Sequence, residues 1–172
     1  SKIISRNTGR TATGAAAYRA GEKIRDERMN ETWDYTKKKG IGHSEILTPD
    51  NAPAWATNRE RLWNEVEKSE KRKDAQLARE IEVALPIELT NEQKKNLITE
   101  FAKDNFVKKG MIADICIHGI NSENPHAHIM LTMREITPEG FGKKNRDWNN
   151  KEHLLEWREG WARHANNHLA LA

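Results

Sequence analysis

Apolar and polar residues alternate along several segments in the second half of the chain, and this alternation predicts strands. The pattern is clear over Arg79–Leu85, which ends at Pro86. It returns over Met111–His118 and His126–Met133, two segments joined by a loop of Gly, Asn, Ser and Pro. We therefore expect these two segments to pair as a hairpin. Ile3–Ser5 predicts a short strand near the start.

Other segments show helical periodicity. Thr90 and Gln93 have the spacing of a capping box, which predicts that a helix begins there. The predicted helices are Ala15–Met29, Pro53–Ser69, Thr90 to about Gly110, and one from about Asn150 onward. Residues 30–53 and 136–147 contain Gly and Pro or Lys, and are predicted to be irregular. Strands and helices are thus interspersed around a hairpin, which predicts one α+β domain over residues 1–172 with a mainly antiparallel sheet packed by helices.

Composition narrows the class of protein. Charged residues make up 32% and apolar residues 36% of the 172 residues, which indicates a soluble protein with a modest core. No apolar run approaches the ~18 residues of a membrane helix, and no secretory leader opens the chain. The single cysteine, Cys116, excludes a disulfide framework. We therefore expect a cytoplasmic protein.

Positive charge is concentrated near the N-terminus. Residues 1–40 hold ten basic and five acidic residues, a net charge of +5, whereas the whole chain carries +3. A basic segment of this kind is suited to a phosphate backbone. On charge alone, a solvated helix face is the simpler explanation of the same run.

Three histidines form the most informative pattern. Because alternate residues of a strand share a face, His126 and His128 point the same way. His118 ends the preceding strand, so hairpin pairing would bring it opposite this pair. Three neutral imidazoles form a ligand set that leaves positions open for substrate. The pattern predicts a divalent metal site, with Mn²⁺, Mg²⁺ and Zn²⁺ all open as the ion.

Two further features, a pair of glutamates and a tyrosine, are candidates for chemistry. Glu80 and Glu82 share one face of their strand, where a carboxylate could orient a histidine or accept a proton. A solvated outer face explains the same two glutamates equally well. Tyr18 lies among alanines near several basic residues, and a neighbouring cation or base can activate a phenol. Without that context, a tyrosine at the edge of the core is the simpler interpretation.

Taken together, these stretches resemble the MobA/MobL family of plasmid mobilisation relaxases, single-tyrosine members of the HUH endonuclease superfamily. The matching segments are Lys2-Ile-Ile-Ser-Arg, Ala15-Ala-Ala-Tyr18-Arg-Ala-Gly-Glu, Arg79-Glu80-Ile-Glu-Val-Ala-Leu-Pro86 and His118 through Glu123-Asn-Pro-His126-Ala-His128. The resemblance spans nearly the whole chain. The order of tyrosine, acidic strand and histidine motif makes it specific.

The resemblance implies a sheet of about five strands whose catalytic face is open to DNA, with helices behind it. It implies nicking of one strand at a plasmid transfer origin by a bacterial, plasmid-encoded enzyme. Tyr18 corresponds to the nucleophile, the three histidines to the metal ligands and Glu80 to the acidic position. The expected partners are single-stranded origin DNA, accessory relaxosome proteins and a coupling protein of the secretion machinery. Longer members continue beyond this region, so the chain is expected to be a catalytic, N-terminal part of a larger protein.

The expected contacts to the DNA backbone come from basic residues near Tyr18, namely Arg6, Arg10, Arg19 and Lys23. Trp33, Trp55 and Phe141 are candidates for base stacking.

Three other functions remain open at this point. A cupin-type oxygenase also uses a His-x-His strand, although the number of predicted helices argues against it. A replication initiator of the same superfamily would use the same chemistry at a different origin. A non-catalytic DNA-binding module with a structural metal would bind DNA without cutting it.

Overall fold

A computed structural model describes residues 1–172 and shows an α+β fold built on a five-stranded antiparallel sheet. The strand order in this sheet is β1-β5-β7-β6-β4. Its strands are β1 (Lys2–Ser5), β4 (Ile41–Leu47), β5 (Gln76–Ala84), β6 (Ala113–His118) and β7 (His126–Leu131). Two small hairpins flank it, formed by β2 (Lys23–Asp26) with β3 (Glu31–Asp34) and by β8 (Arg134–Thr137) with β9 (Gly140–Lys144).

Four α-helices cover the two faces of the sheet. They are α1 (Ala12–Ala20), α2 (Arg59–Ser69), α3 (Asn91–Asn105) and α4 (Glu152–Leu171). None of them combines the length and the apolar character that a membrane-spanning helix needs. The predicted capping box at Thr90 is present, with the Thr90 hydroxyl accepting from the Gln93 N–H and the Gln93 side chain accepting from the Thr90 N–H.

We call the two sides of the sheet the front face, which carries the three histidines, and the back face. On the back face, β5, β6 and β7 present isoleucines to Phe101 of α3, and α4 adds Trp157 to this apolar cluster. On the front face, α1 and α2 pack over one end of the sheet in a second cluster that includes Trp63. Helices therefore lie on both sides, and the three histidines remain partly exposed on the front face.

Three local predictions are wrong. The helix predicted over Ala15–Met29 ends at Ala20, because Gly21 adopts a left-handed conformation (φ +64°) that stops it. The mixed-charge residues after it form the β2–β3 hairpin. The segment 30–53, predicted to be irregular, also contains edge strand β4, whose pairing with β6 outweighs its weak local propensity. Likewise, residues 136–147 contain most of the β8–β9 hairpin.

Candidate functional site

The three predicted histidines converge at one end of the front face. The hairpin register is as predicted, because His118 lies directly opposite His126. The centroids of the rings are 4.5 Å apart for His118 and His128, 5.4 Å for His118 and His126, and 5.2 Å for His126 and His128. One nitrogen from each ring lies within 4.8 Å of the others, a spacing suited to one metal ion.

Each imidazole is oriented by an acceptor outside the cluster. His118 Nε2 lies 2.7 Å from the Arg19 carbonyl oxygen, and His126 Nδ1 lies 2.9 Å from that of Asn124. His128 Nδ1 lies 2.9 Å from a carboxylate oxygen of Glu80. Because carbonyl and carboxylate oxygens only accept, each of these nitrogens carries the proton. The second nitrogen of each ring has no protein partner and is available as a ligand.

The environment of His118 favours its neutral form. Partial burial lowers the pKa of this imidazole below its ordinary value, and the nearby charges of His128, Lys38 and His126 lower it further. The hydrogen bond to the Arg19 carbonyl acts in the opposite direction. A neutral imidazole is the form that binds a metal.

Glu80 is the buried carboxylate behind the histidines. Its side chain is 2% exposed, and it accepts hydrogen bonds from His128 and from the guanidinium of Arg19, with Lys2 Nζ 3.6 Å away. Burial alone raises the pKa of a carboxyl group, but these hydrogen bonds and positive charges outweigh it and lower the pKa of Glu80 to about 2. Glu82 lies opposite His128 in the register of β5 and β7, but it is exposed and forms no hydrogen bond or ion pair.

Tyr18 lies on α1, and the next residue joins this helix to the histidines. The Arg19 carbonyl contacts His118, and its guanidinium contacts Glu80. Tyr18 itself is 49% exposed, and its ring meets that of Tyr35 edge to face at 5.2 Å between centroids. The structure therefore places an accessible phenol one residue away from two anchors to the cluster.

Lys38 is a neighbour of Tyr18 that sequence reasoning missed. Its Nζ lies 3.5 Å from the centroid of the Tyr18 ring and donates to the Tyr18 carbonyl oxygen at 2.8 Å. Partial burial, followed by the charge of Arg19, lowers the pKa of this ammonium group. The only sequence signal was the basic run Lys37–Lys39, which does not distinguish its three members.

A second buried carboxylate, Asp114 on β6, joins α2 to the sheet. Two nitrogens of Arg59 donate to it at 2.9–3.1 Å, and Trp63 Nε1 donates at 2.8 Å. Arg59 also pairs with Glu22, which follows the end of α1. These contacts hold α1 and α2 on the sheet. Cys116, which alternates with Asp114 on the same strand, is buried, and this burial raises the pKa of its thiol.

The four predicted DNA-contacting cations have different environments. Arg10 lies beside Tyr18 in an open cleft and makes no ion pair within the chain. Arg19 borders the same cleft, but its guanidinium binds Glu80, and Lys23 is exposed on β2. Arg6 is not part of this group. Its guanidinium is buried against the end of α2, where it donates to backbone carbonyls of Glu67, Glu70 and Arg72.

The three residues predicted to stack on bases also lie in different places. Trp33 borders the cleft beside Tyr18. Trp55 and Phe141 instead pack against each other, with ring centroids 6.1 Å apart, beside the front-face core.

Comparisons with known proteins are consistent with this geometry. Residues 10–172 match the model of the MobA/MobL family. A conjugal transfer protein TraA from Agrobacterium fabrum is 44% identical over 83% of the chain, which covers 14% of that relative. A mobilization protein MobL from Acidithiobacillus ferridurans is 41% identical over 83% of the chain and 44% of its own length. The chain thus spans less than half of these two relatives.

A solved structure is similar over almost the whole fold. It is described as the molecular basis of vancomycin resistance transfer in Staphylococcus aureus, and it matches with a TM-score of 0.90 and 41% identity. The match covers 98% of this chain and 90% of the other. The similarity therefore includes the sheet, all four helices and the histidine hairpin.

Proposed function

The chain belongs to the MobA/MobL family, and on that premise we propose that it is the relaxase domain of a plasmid mobilisation protein. In this proposal it nicks one strand of DNA at a transfer origin and later rejoins it. The observation that carries the proposal is the link between the three-histidine cluster and Tyr18 through Arg19. Accessory relaxosome proteins and a coupling protein are the partners that this function requires.

The three histidines fit a divalent cation, which we propose to be Mn²⁺, Mg²⁺ or Zn²⁺. One nitrogen of each ring lies within 4.8 Å of the others, each ring has one nitrogen without a protein partner, and the pKa of His118 is lowered. A bound cation would neutralise charge that grows on the non-bridging oxygens of the scissile phosphate.

We assign Tyr18 as the nucleophile. Its phenolic oxygen bonds to phosphorus while the bond from phosphorus to the 3′ oxygen breaks. The phenol loses its proton to solvent and the 3′ oxygen gains one, so the products are a 5′-phosphotyrosyl strand and a free 3′-hydroxyl. The new ester preserves the phosphodiester linkage, so the reverse step rejoins the DNA without a nucleotide cofactor.

We assign Glu80 to positioning. With a pKa of about 2, its carboxyl group is ionised at neutral pH, and both oxygens already accept hydrogen bonds. It is thus poorly suited to take the phenolic proton. Its role in this proposal is to orient His128 and to hold Arg19, and with it the helix that carries Tyr18.

The test is a denaturing gel of the purified protein mixed with single-stranded oligonucleotides from transfer origins, with Mn²⁺ or with EDTA. We expect a protease-sensitive adduct that requires the metal. Tyr18→Phe should lose the adduct and still bind DNA, because only the exposed hydroxyl is removed. The matched variant Tyr35→Phe should form it. An adduct that persists in Tyr18→Phe would contradict the assignment.

The same gel separates the remaining alternatives. A replication initiator would form the adduct with replication-origin oligonucleotides and not with transfer origins. A non-catalytic module would bind metal and DNA tightly and give no adduct with either. The open sheet with four packed helices already excludes a cupin barrel.

A further inference from the structure

An open cleft adjoins Tyr18. It lies between the start of α1 and strand β3, and its walls include Arg10, Thr11, Tyr18, Trp33 and Tyr35. Neither the metal cluster nor the attacking phenol explains why aromatic and basic side chains are gathered here.

Two aromatic rings form one wall of the cleft. Trp33 on β3 and Tyr35 just after it both line the cleft. Trp33 packs on the first turn of α1, where a Cβ added to Gly14 would lie 3.2 Å from the indole. Tyr35 meets Tyr18 one turn further along the helix. The wall therefore runs from the helix start to the nucleophile.

The charge of the cleft is positive. No carboxylate lines it, whereas Arg10 and Arg19 both do. Arg19 is bound to Glu80, so Arg10 supplies the unpaired cation. Asp34, which lies between the two aromatic residues in sequence, does not line the cleft and accepts hydrogen bonds from Thr36.

We propose that this cleft binds a nucleotide next to the scissile phosphate of single-stranded DNA, with its base against Trp33 and Tyr35 and its phosphate beside Arg10. This inference rests on the proposed function. Stacking on an aromatic ring with a cation on the backbone is how single strands are held with little sequence preference. The position beside Tyr18 leaves space for the nucleotide nearest the bond that breaks.

The first experiment tests whether one base of the DNA contacts Trp33. Single abasic sites are placed in turn on both sides of the nick site in an origin oligonucleotide. Binding is measured by fluorescence anisotropy in EDTA, so cleavage does not interfere. We expect one position next to the nick at which the abasic site weakens wild-type binding by roughly tenfold. At that position the same abasic site should weaken DNA binding by Trp33→Leu very little, because the variant has already lost the contact to this base.

The control is Trp55→Leu, which alters a half-buried indole that packs against Phe141 outside the cleft. It should retain the full wild-type penalty at every abasic position. If Trp33→Leu also retains the full penalty everywhere, the base does not lie against Trp33 and the proposal is wrong.

A second variant does not depend on core packing. Arg10→Gln removes a cation with no ion pair in the chain, so the fold should be preserved. With a fluorescent (dT)12 probe, the slope of log K against log salt should fall by about 0.7, the value for one lost phosphate contact in a single strand. Lys103→Gln, on the exposed side of α3, should leave the slope unchanged. An unchanged slope in Arg10→Gln would contradict the phosphate contact.

Adduct formation on the same origin oligonucleotides separates the two proposals. Suppose that wild type forms a normal adduct, but that the effects of each abasic site and of Trp33→Leu on binding are additive. The proposal for the cleft would then be wrong, and the nicking function would stand. Absence of an adduct with every origin would overturn the function, whatever the binding scan shows.

Discussion

The front and back faces of the sheet are made by the same strands and have opposite chemistry. On the back face, Ile115, Ile117 and Ile129 are fully buried among apolar side chains. On the front face, the residues that alternate with these isoleucines on the same strands include Asp114 and His128, which bind partners through hydrogen bonds. Strand alternation thus separates an apolar back face from a front face that carries polar and candidate ligating groups beside its own apolar cluster.

The two faces are stabilised in different ways. Apolar burial on the back face needs no specific partner, so its contribution follows buried area and packing. Burial of a carboxylate on the front face costs free energy unless a cation or donor compensates it. Glu80 is compensated by Arg19 and Asp114 by Arg59. The front face should therefore be sensitive to single polar changes that leave the back face intact.

Phe101→Ala tests the back face and has the largest expected effect on stability. Phe101 is 1% exposed and meets Phe106 and Trp161 edge to face at 5.5 and 5.1 Å. Its truncation should lower the free energy of unfolding by about 3–5 kcal/mol, measured by urea titration. Metal affinity of the remaining folded protein, measured by titration calorimetry, should stay near wild type.

The control for this variant is Leu155→Ala on the exposed side of α4, where the side chain is 60% exposed. It should change the free energy of unfolding by less than about 0.5 kcal/mol. A large loss of metal affinity in folded Phe101→Ala would show that the faces are coupled, and the comparison would fail.

Most of this division could be predicted from the sequence. The alternation around His126 and His128 gave both the register of the hairpin and the common direction of the rings, because a strand's period is local. The left-handed Gly21 and the edge strand β4 could not be predicted in this way. Charged residues after Gly21 have good helix propensity, and β4 is formed only through pairing with a strand about 70 residues later.

The contacts between distant residues were also beyond sequence reasoning. Arg19 was predicted to bind DNA, yet it compensates Glu80, 61 residues away. Lys38 reaches the Tyr18 ring across 20 residues. No periodicity links these positions, since tertiary packing alone brings them together. Strand alternation predicted the three-histidine set and the resemblance pointed to Tyr18, whereas the side chains that position them required the structure.

Glu80→Gln tests the front face and has the next largest effect. The folded-state pKa of about 2 lies below the ordinary value of 4.5, so the ionised carboxylate stabilises the fold at neutral pH. This contribution, about 3 kcal/mol, is present above pH 4.5 and is lost as pH falls toward 2. In EDTA, wild type should exceed Glu80→Gln in free energy of unfolding at pH 7, and the difference should shrink by pH 3.

The matched control is Glu82→Gln, because Glu82 lies on the same strand opposite His128 but is exposed and forms no hydrogen bond or ion pair. It should behave as wild type at both pH values. Metal affinity should fall by roughly 10–100-fold in Glu80→Gln alone, since His128 loses its orienting carboxylate. A pH-independent difference in stability between Glu80→Gln and wild type would contradict the prediction, because it would show that the charge of Glu80 does not stabilise the fold.

Lys38→Met has the smallest expected effect on stability. It removes one charge from the front face without leaving a cavity. The ammonium group lies over the Tyr18 ring, and we expect a cation there to stabilise the negative charge that develops on the phenolic oxygen during attack by about 0.5–2 kcal/mol. We expect the rate of adduct formation at saturating DNA to fall by about 3–30-fold, with the free energy of unfolding little changed. Quenched time courses on denaturing gels measure this rate.

Two matched variants decide whether the charge over Tyr18 is responsible. Lys38→Arg keeps a cation that can lie over the ring, so it should recover most of the rate. Lys39→Met removes a neighbouring exposed charge that contacts neither the ring nor the Tyr18 carbonyl, so the saturated rate should remain that of wild type. If Lys39→Met slows adduct formation as much as Lys38→Met, the positive charge of the loop as a whole is responsible. The contact of Lys38 with the Tyr18 ring then makes no specific contribution to the rate.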